Sequence, residues 1–227
     1  MKNFVKRLFF LPKKLYWGLR YAARLYEKHR ECHEIISKIS YRGEDTVIEE
    51  NVLISWPSRL RIGKRCLIQR DCILHSMGGI HIGDYVGIGS QSILISFAHN
   101  YLRPEYLPYD NVIILKPIII RDFVWIGFAA KIMPGVEIGE GAIVAMGATV
   151  TRNVPPLSIV AGNPAEIIGY RNKKKYDLCK KQNQFAGPMT RRFFGKYSET
   201  MPKYFRVKYT KELQELGLLL QEYSISD

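Results

Sequence analysis

The side chains best suited to chemistry in this 227-residue sequence are five histidines and four cysteines. An imidazole titrates near neutral pH, so it can act as a base, and it can also bind a metal. His29 and His33 have the i, i+4 spacing of a helix, whereas His81 and His99 are 18 residues apart. The cysteines contain no CxxC pair and no zinc-type spacing, which predicts neither a disulfide nor a thiolate metal site. They are Cys32, Cys66, Cys72 and Cys179.

A six-residue repeat positions these side chains. Large aliphatic residues recur at every sixth position, without a break over residues 120–150 and in shorter runs before them. They are Ile62, Ile68, Ile82, Ile88, Leu94, Ile120, Ile126, Ile132, Ile138, Val144 and Val150. A helix repeats every 3.6 residues and a strand every two, so this period predicts a prism in which each hexad forms one short strand and one turn. Three hexads make a coil of about 18 residues, and residues 47–170 make roughly seven coils.

The repeat also explains the small residues and its own interruptions. A compact residue follows each aliphatic one by four places, near an inward-turned corner, and Cys66 and Cys72 occupy this position. We therefore expect buried, inert thiols. The register breaks around residues 77–79 and again over residues 100–117. The second stretch is long enough to leave the prism as a functional loop, and His99 stands at its lip.

The charge is concentrated at the two ends of the chain. There are 34 basic and 21 acidic residues, a net charge of +13, but residues 47–170 hold ten of each, so the surplus lies in residues 1–46 (11 against 5) and 171–227 (13 against 6). With 47% hydrophobic and 24% charged residues the chain is not disordered throughout. No stretch reaches the roughly 20 apolar residues of a membrane-spanning helix, and the N-terminus lacks a secretory signal, so we expect a cytoplasmic protein.

Four segments resemble the left-handed parallel β-helix acyltransferases, in the branch of galactoside, maltose and streptogramin O-acetyltransferases. They are Phe97-Ala98-His99, Val124-Trp125-Ile126-Gly127, residues 132–139 and residues 154–165. The resemblance covers about residues 47–170. It implies an all-β core formed by a left-handed β-helix, a homotrimer with active sites in the grooves between subunits, and transfer of acetyl from acetyl-CoA to an acceptor hydroxyl. It implies no metal.

The resemblance also assigns the reacting groups. His99 is the expected general base, because a sugar hydroxyl must lose its proton as it attacks the thioester. The backbone N–H of Phe128 is the expected donor to the oxyanion, which backbone can supply whatever the side chain. Family members often have a small residue at this position, so the bulky Phe128 is a departure that narrows the acceptor pocket. Trp125 is expected to form a wall of the sugar site, and transfer is expected to be direct, without an acyl-enzyme.

Further positions carry over for the two substrates. The expected coenzyme A contacts are Gly127, Met146, Gly147, Ala148, Thr151 and Arg152. Glu166 stands where the family usually has a basic residue, so Arg171 is the nearest candidate for the remaining phosphate contact. Gln69 and Asp71 align with acceptor-binding positions.

Three other functions compete with O-acetylation. N-acetylation of an amino sugar on a nucleotide usually involves an additional N-terminal α/β domain, for which residues 1–46 are too short. A γ-class carbonic anhydrase shares the fold, and His81 and His99 would stack on one face if one coil separates them, but the histidines lack that family's pair at five-residue spacing. A scaffold without catalysis is the third alternative, and the set of His99, Trp125, Thr151 and Arg152 argues against it.

The flanking segments suggest where the enzyme works. Residues 1–46 form a basic segment with an amphipathic helical pattern, which either lies on an anionic membrane through residues 1–30 or packs on the trimer. Residues 171–227 form a basic, aromatic extension with a helix predicted from Thr210, expected to cover the open end of the prism. No nucleic-acid-binding module is recognisable. A membrane-facing leader favours a small-molecule or lipid-linked sugar as the acceptor, such as a cell-surface glycan precursor.

Overall fold

The computed structural model describes residues 34–185, together with residues 17, 18, 20 and 21. The described part is a left-handed parallel β-helix of about six coils, as the hexad repeat predicts. Its strands form three faces, here called the first, second and third face in the order in which the chain visits them. Residues 34–37, which are helical, precede the first coil, and that coil begins at Tyr41, before the predicted boundary at residue 47.

Each face is a ladder of parallel strands. The first face contains β1 (Tyr41–Arg42), β4 (Leu60–Ile62), β7 (Ile80–Ile82), β12 (Ile118–Ile120) and β15 (Glu137–Ile138). The second contains β2 (Val47–Ile48), β5 (Leu67–Ile68), β8 (Gly87–Ile88), β13 (Trp125–Ile126), β16 (Ile143–Val144) and β18 (Ser158–Ala161), and β19 (Glu166–Tyr170) adds to it antiparallel to β18. The third contains β3 (Leu53–Ser55), β6 (Ile73–His75), β9 (Ile93–Ile95), β14 (Lys131–Ile132) and β17 (Thr149–Val150). A short 3₁₀ helix, Pro57–Arg59, lies between β3 and β4.

The coils differ in length before and after the long loop. Arg61 pairs with Tyr41 below it and with His81 above it, so the early coils take 20 residues instead of the expected 18. Ile143 pairs with Trp125, which gives the expected 18 residues in the later coils. The early coils are longer because their strands on the first and third faces contain three residues, where β14 and β15 contain two. The prediction of seven coils was too high for this reason.

The aliphatic hexad positions form a dry core. Ile62, Ile82, Ile120 and Ile138 stack on the first face and are at most 4% exposed. The small positions turn inward at the corners, and Cys66 and Cys72 are fully buried there, as predicted. Burial raises the pKa of both thiols to about 11, which keeps them protonated and unreactive at neutral pH.

Two structures interrupt or follow the coils. After β9 the chain leaves the prism as a hairpin formed by β10 (Phe97–His99) and β11 (Ile113–Leu115). Strand β11 therefore lies inside the stretch predicted as a loop, and residues 100–112 connect the two strands. After β19, helix α1 (Lys173–Lys181) begins at Asn172, whose side chain accepts a hydrogen bond from Lys175 N.

Helix α1 packs on the corner between the first and second faces. The Tyr176 hydroxyl donates to Glu140 over 2.8 Å, and Lys180 Nζ donates to the same carboxylate oxygen over 2.6 Å. These two donors hold the pKa of Glu140 below its usual value, with Lys180 the larger cause. The described start of the C-terminal extension is thus joined to the β-helix.

Most of the predicted flanking elements lie outside the described residues. This applies to the helix predicted from Thr210 and to most of the basic segment 1–30, in which residues 17, 18, 20 and 21 are described and are helical. In the described part of the chain, no helix has the length and apolar character needed to cross a membrane.

Candidate active site

His99 lies at the end of strand β10, where the hairpin departs from the corner between the third and first faces (the third corner). Ser96, at the root of the hairpin, is fully buried. Its hydroxyl donates to His75 O over 2.8 Å and accepts from Gly78 N over 2.9 Å. His99 itself is exposed and pairs with Ile113 across the hairpin. The imidazole is therefore presented outside the prism on a root that is firmly tied to it.

The expected stacking of His81 and His99 was wrong. His81 lies on β7, where it pairs with Arg61 and with Ile119 on the first face. The 18-residue spacing corresponds to one coil after the loop but not before it, and His99 belongs to the hairpin. Among the described residues, no group of three or more histidine, cysteine, aspartate or glutamate side chains could hold a metal ion.

Two neighbours contact the His99 ring. The ring centroid of Tyr109 lies 4.2 Å from that of His99, with 32° between the planes, and Phe97 meets it edge-on at 6.4 Å. Tyr109 belongs to the connection of residues 100–112, which is otherwise well exposed. The contact joins the far end of this connection to the side chain at its beginning.

A single carboxylate holds the connection together. Asp110 is 5% exposed, and its two oxygens accept from Asn100 Nδ2 (2.8 Å), Val112 N (2.9 Å) and Glu105 N (3.1 Å). These donors favour the charged form, Val112 N–H most strongly, and hold the pKa of Asp110 below its usual value despite desolvation. The aspartate thus joins the two ends of the connection and its middle.

The corner between the second and third faces (the second corner) holds the expected oxyanion donor. In the lower coils a side chain caps the corner amide of the next coil. Glu49 Oε2 accepts from Arg70 N over 3.0 Å, and Gln69 Oε1 accepts from Ser90 N over 3.2 Å. Gly89 follows in this column and has no side chain to cap Phe128 N.

The amide of Phe128 is consequently left without a partner. A Cβ on Gly89 would lie 2.7 Å from Phe128 N, so the glycine leaves the space in front of the amide open. Within the described residues nothing accepts a hydrogen bond from Phe128 N–H. Gly127 repeats the arrangement one coil later, where its Cβ would lie 2.6 Å from Met146 N. Two successive corner amides are therefore free to bind a ligand.

Large apolar side chains surround this corner. Trp125 points outward from the second face and is 57% exposed, and Phe128 is 45% exposed. Gly87 lies beside Trp125 in the ladder, and a Cβ there would meet the indole at an ordinary 3.7 Å. The exposed indole and phenyl rings form an apolar border next to the free amide.

The remaining predicted positions do not meet in one chain. Met146 and Gly147 are exposed at the second corner, one coil beyond Phe128, whereas Ala148 is fully buried in the core. Thr151 and Arg152 are exposed at the third corner. Arg171 lies at the corner between the first and second faces, where its Nε donates to Gly141 O over 2.6 Å.

The two predicted acceptor residues lie below the free amide. Gln69 is on the second corner, two coils before Phe128, and its amide oxygen caps Ser90 N as described above. Asp71 is exposed at the same corner with a φ of 61°, in the left-handed turn position.

A shallow groove of about 440 Å³ lies elsewhere, on the first face of the last coils. It contains the ion pair of Arg121 and Glu137, with 2.8 Å between Arg121 Nη2 and the carboxylate, and the turn at Pro155 and Pro156. None of the predicted site residues lines it.

Three features of the site escaped the sequence analysis. Gly89 could have been found by aligning the hexads into coils, because it stands in the column of Glu49 and Gln69. Tyr109 and Asp110 belong to no repeat, and nothing in the sequence indicates their contacts.

Comparison with known proteins places the coils in a defined family. The family described as bacterial transferase hexapeptide (six repeats) matches residues 117–152. A putative colanic acid biosynthesis acetyltransferase of Escherichia coli is 30% identical over 129 residues, which is 57% of this chain and 68% of the relative. The galactoside O-acetyltransferase of Escherichia coli is 31% identical over 129 residues, 56% of this chain and 61% of the relative.

A solved structure shares the fold. A hexapeptide-repeat acetyltransferase from Vibrio cholerae, complexed with acetyl coenzyme A, superimposes with a TM-score of 0.57 and 28% identity. The superposition covers 61% of this chain and 75% of the Vibrio protein.

Proposed function

The chain belongs to the hexapeptide-repeat acetyltransferases, enzymes that use acetyl-CoA, and from this premise we propose that it acetylates a sugar hydroxyl with His99 as the general base. The observation that carries the proposal is the free N–H of Phe128 beside the exposed Trp125. It provides an oxyanion donor and an apolar sugar contact on one coil, and the exposed imidazole of His99 provides the base.

The reaction needs no covalent enzyme intermediate. The imidazole of His99 takes the proton of the acceptor hydroxyl as its oxygen attacks the thioester carbonyl carbon. The carbonyl oxygen becomes negatively charged and accepts a hydrogen bond from Phe128 N–H. The tetrahedral intermediate then collapses, the carbon–sulfur bond breaks, and the imidazolium returns its proton to the coenzyme A thiolate. The products are the acetyl ester and free coenzyme A.

A homotrimer would complete this site. Within one chain, His99 lies on the third corner and Phe128 on the second, and two corners of a triangular prism face different directions. Thr151 and Arg152 share the third corner, whereas Met146 and Gly147 share the second. A neighbouring copy that brings its third corner to the second corner of the first would unite the base, the amide and the coenzyme A positions in one groove.

The trimer has its own test. Light scattering is expected to give three times the chain mass of 26.2 kDa. Co-refolding the inactive His99→Ala and Phe128→Pro chains is expected to restore activity, because some grooves then receive both intact groups from different chains. A monomeric mass, or no recovery in a mixture that forms mixed oligomers, would contradict a shared site.

The acceptor is proposed to be a sugar unit of a cell-surface glycan precursor, free or lipid-linked. Two relatives support this class through their names, one from colanic acid biosynthesis and one acting on galactosides. The basic segment 1–30 would keep the enzyme at the inner face of the membrane. Anionic liposomes are expected to sediment the full chain but not a chain lacking residues 1–30, and equal sedimentation would remove the membrane contact.

Substitution of His99 tests the catalytic assignment. The rate of coenzyme A release from acetyl-CoA, measured with galactosides and maltose as acceptors, is expected to fall by about 10²–10⁴-fold in His99→Ala. The matched control is His81→Ala, which removes an exposed imidazole from the first face and is expected to leave the rate unchanged. Equal rates for wild type and His99→Ala would refute the proposed function.

A further inference from the structure

The imidazole of His99 is exposed, yet it is not free to rotate. Tyr109 covers it at 4.2 Å between ring centroids with a tilt of 32°, within the range of favourable aromatic contacts. Phe97 meets the ring at 79°, edge-on, from the strand below. An exposed side chain normally samples several rotamers, and these two contacts restrict it.

Tyr109 is itself fixed by its neighbour in sequence. The Asp110 carboxylate accepts from Asn100, directly after His99, and from Glu105 and Val112. The backbone on both sides of the aromatic contact is therefore tied to one buried charge. A contact formed by a connection of 13 residues (100–112) would otherwise be lost to chain entropy.

The geometry matters because a general base works within a narrow range of positions. The base must lie within hydrogen-bond reach of the hydroxyl, and a displacement of about 1 Å can cost about 10²-fold in rate. The loop residue Tyr106 gives a contrast: it is 61% exposed, more than Tyr109 at 49%, and no ring contact joins it to His99.

We propose that Tyr109 is a positioning residue that holds the His99 imidazole in its reactive orientation, with Asp110 fixing Tyr109. This inference rests on the proposed role of His99 as the base. Tyr109 acts through its ring face and not through its hydroxyl, so a phenyl ring is sufficient. The orientation exists before substrates bind, which spares the enzyme the cost of ordering the base during each turnover.

Steady-state kinetics separate this role from a structural one. In Tyr109→Leu, kcat is expected to fall about 10- to 100-fold with KM for acetyl-CoA unchanged, whereas Tyr109→Phe retains kcat. Tyr106→Leu is the control for loss of an exposed tyrosine from the same connection and is expected to match wild type. Wild-type kcat in Tyr109→Leu, or equal losses in Tyr109→Leu and Tyr106→Leu, would overturn the proposal.

A spectroscopic measurement tests the orientation without turnover. The His99 ring-proton signals of the free enzyme, assigned by their loss in His99→Ala, are expected to carry a ring-current shift that is retained in Tyr109→Phe and lost in Tyr109→Leu. Unchanged signals in Tyr109→Leu would overturn the proposal even if that variant folds poorly in the assay. If His99→Ala is fully active, the proposed function fails. If His99→Ala is inactive and Tyr109→Leu is normal, this inference fails alone.

Discussion

The coils before and after the hairpin are built from the same repeat but treat their corner amides differently. Before it, at the second corner, Glu49 and Gln69 cap the amides of Arg70 and Ser90. After it, the amides of Phe128 and Met146 face glycines and have no partner among the described residues. The early coils thus satisfy their own backbone, whereas the later coils leave donors for something else to satisfy.

The difference teaches that a solenoid can create a binding site by omission. An uncapped backbone N–H costs stability if it is buried and is inexpensive if it is exposed, so the free donors lie at an exposed corner. Two glycines in the capping column are enough to produce them, because the strands and the inward aliphatic residues continue unchanged. The side chains that then border the corner, Trp125 and Phe128, determine what can approach.

The largest expected effect comes from removing the free donor. Phe128→Pro deletes the N–H while keeping the turn, since Pro134 and Pro156 already occupy the equivalent turn position in this chain and are followed by residues with positive φ, as Phe128 is. The rate is expected to fall about 10²–10³-fold, the usual loss for one oxyanion donor. The measurement is kcat for coenzyme A release, compared with Phe128→Leu, which retains the N–H.

The matched variant in the earlier coils is Ser90→Pro. It removes an amide that is already paired with Gln69, so it is expected to cost about 1 kcal/mol of unfolding free energy and no activity. A comparable loss of activity in both proline variants would remove the distinction between capped and free corners.

The sequence was informative where the chain repeats and uninformative where it does not. The period of six predicted the prism, the inward aliphatic residues and the burial of Cys66 and Cys72, because each hexad meets copies of itself and a local pattern determines a global packing. It could not reveal that Tyr109 covers His99, because that contact joins two residues of an aperiodic connection. The contact depends on a carboxylate whose three partners are scattered in sequence.

Coil length limited the prediction in a second way. The 18-residue period of residues 120–150 does not hold below the hairpin, where strands of three residues extend each coil to 20. Both lengths place the aliphatic residues inside, so hydrophobicity alone does not distinguish them. The error moved His81 to the wrong relation with His99 and left the capping column, in which Gly89 stands, unnoticed.

A smaller effect tests the role of Gln69. If it caps Ser90 N, Gln69→Ala is expected to lower the unfolding free energy by about 1 kcal/mol, with KM for the acceptor unchanged. Chemical unfolding and acceptor kinetics on the same preparation measure both quantities. A raised acceptor KM at wild-type stability would instead support direct acceptor binding, and the comparison of the two regions would then lose one of its two caps.

The smallest expected effect concerns the hairpin that separates the two regions. Because hydrogen bonds lower the pKa of Asp110 in the folded state, its contribution is complete above the usual aspartate pKa and is lost as the pH falls through the lower folded value. Hydrogen exchange of the Val112 amide, corrected for its intrinsic rate, is expected to show protection at about pH 6 that disappears in stronger acid. In Asp110→Asn the protection is expected to be weak and independent of pH. Equal protection in both proteins throughout would show that the connection is held by its aromatic contacts, and that His99 owes its orientation to Tyr109 without the carboxylate.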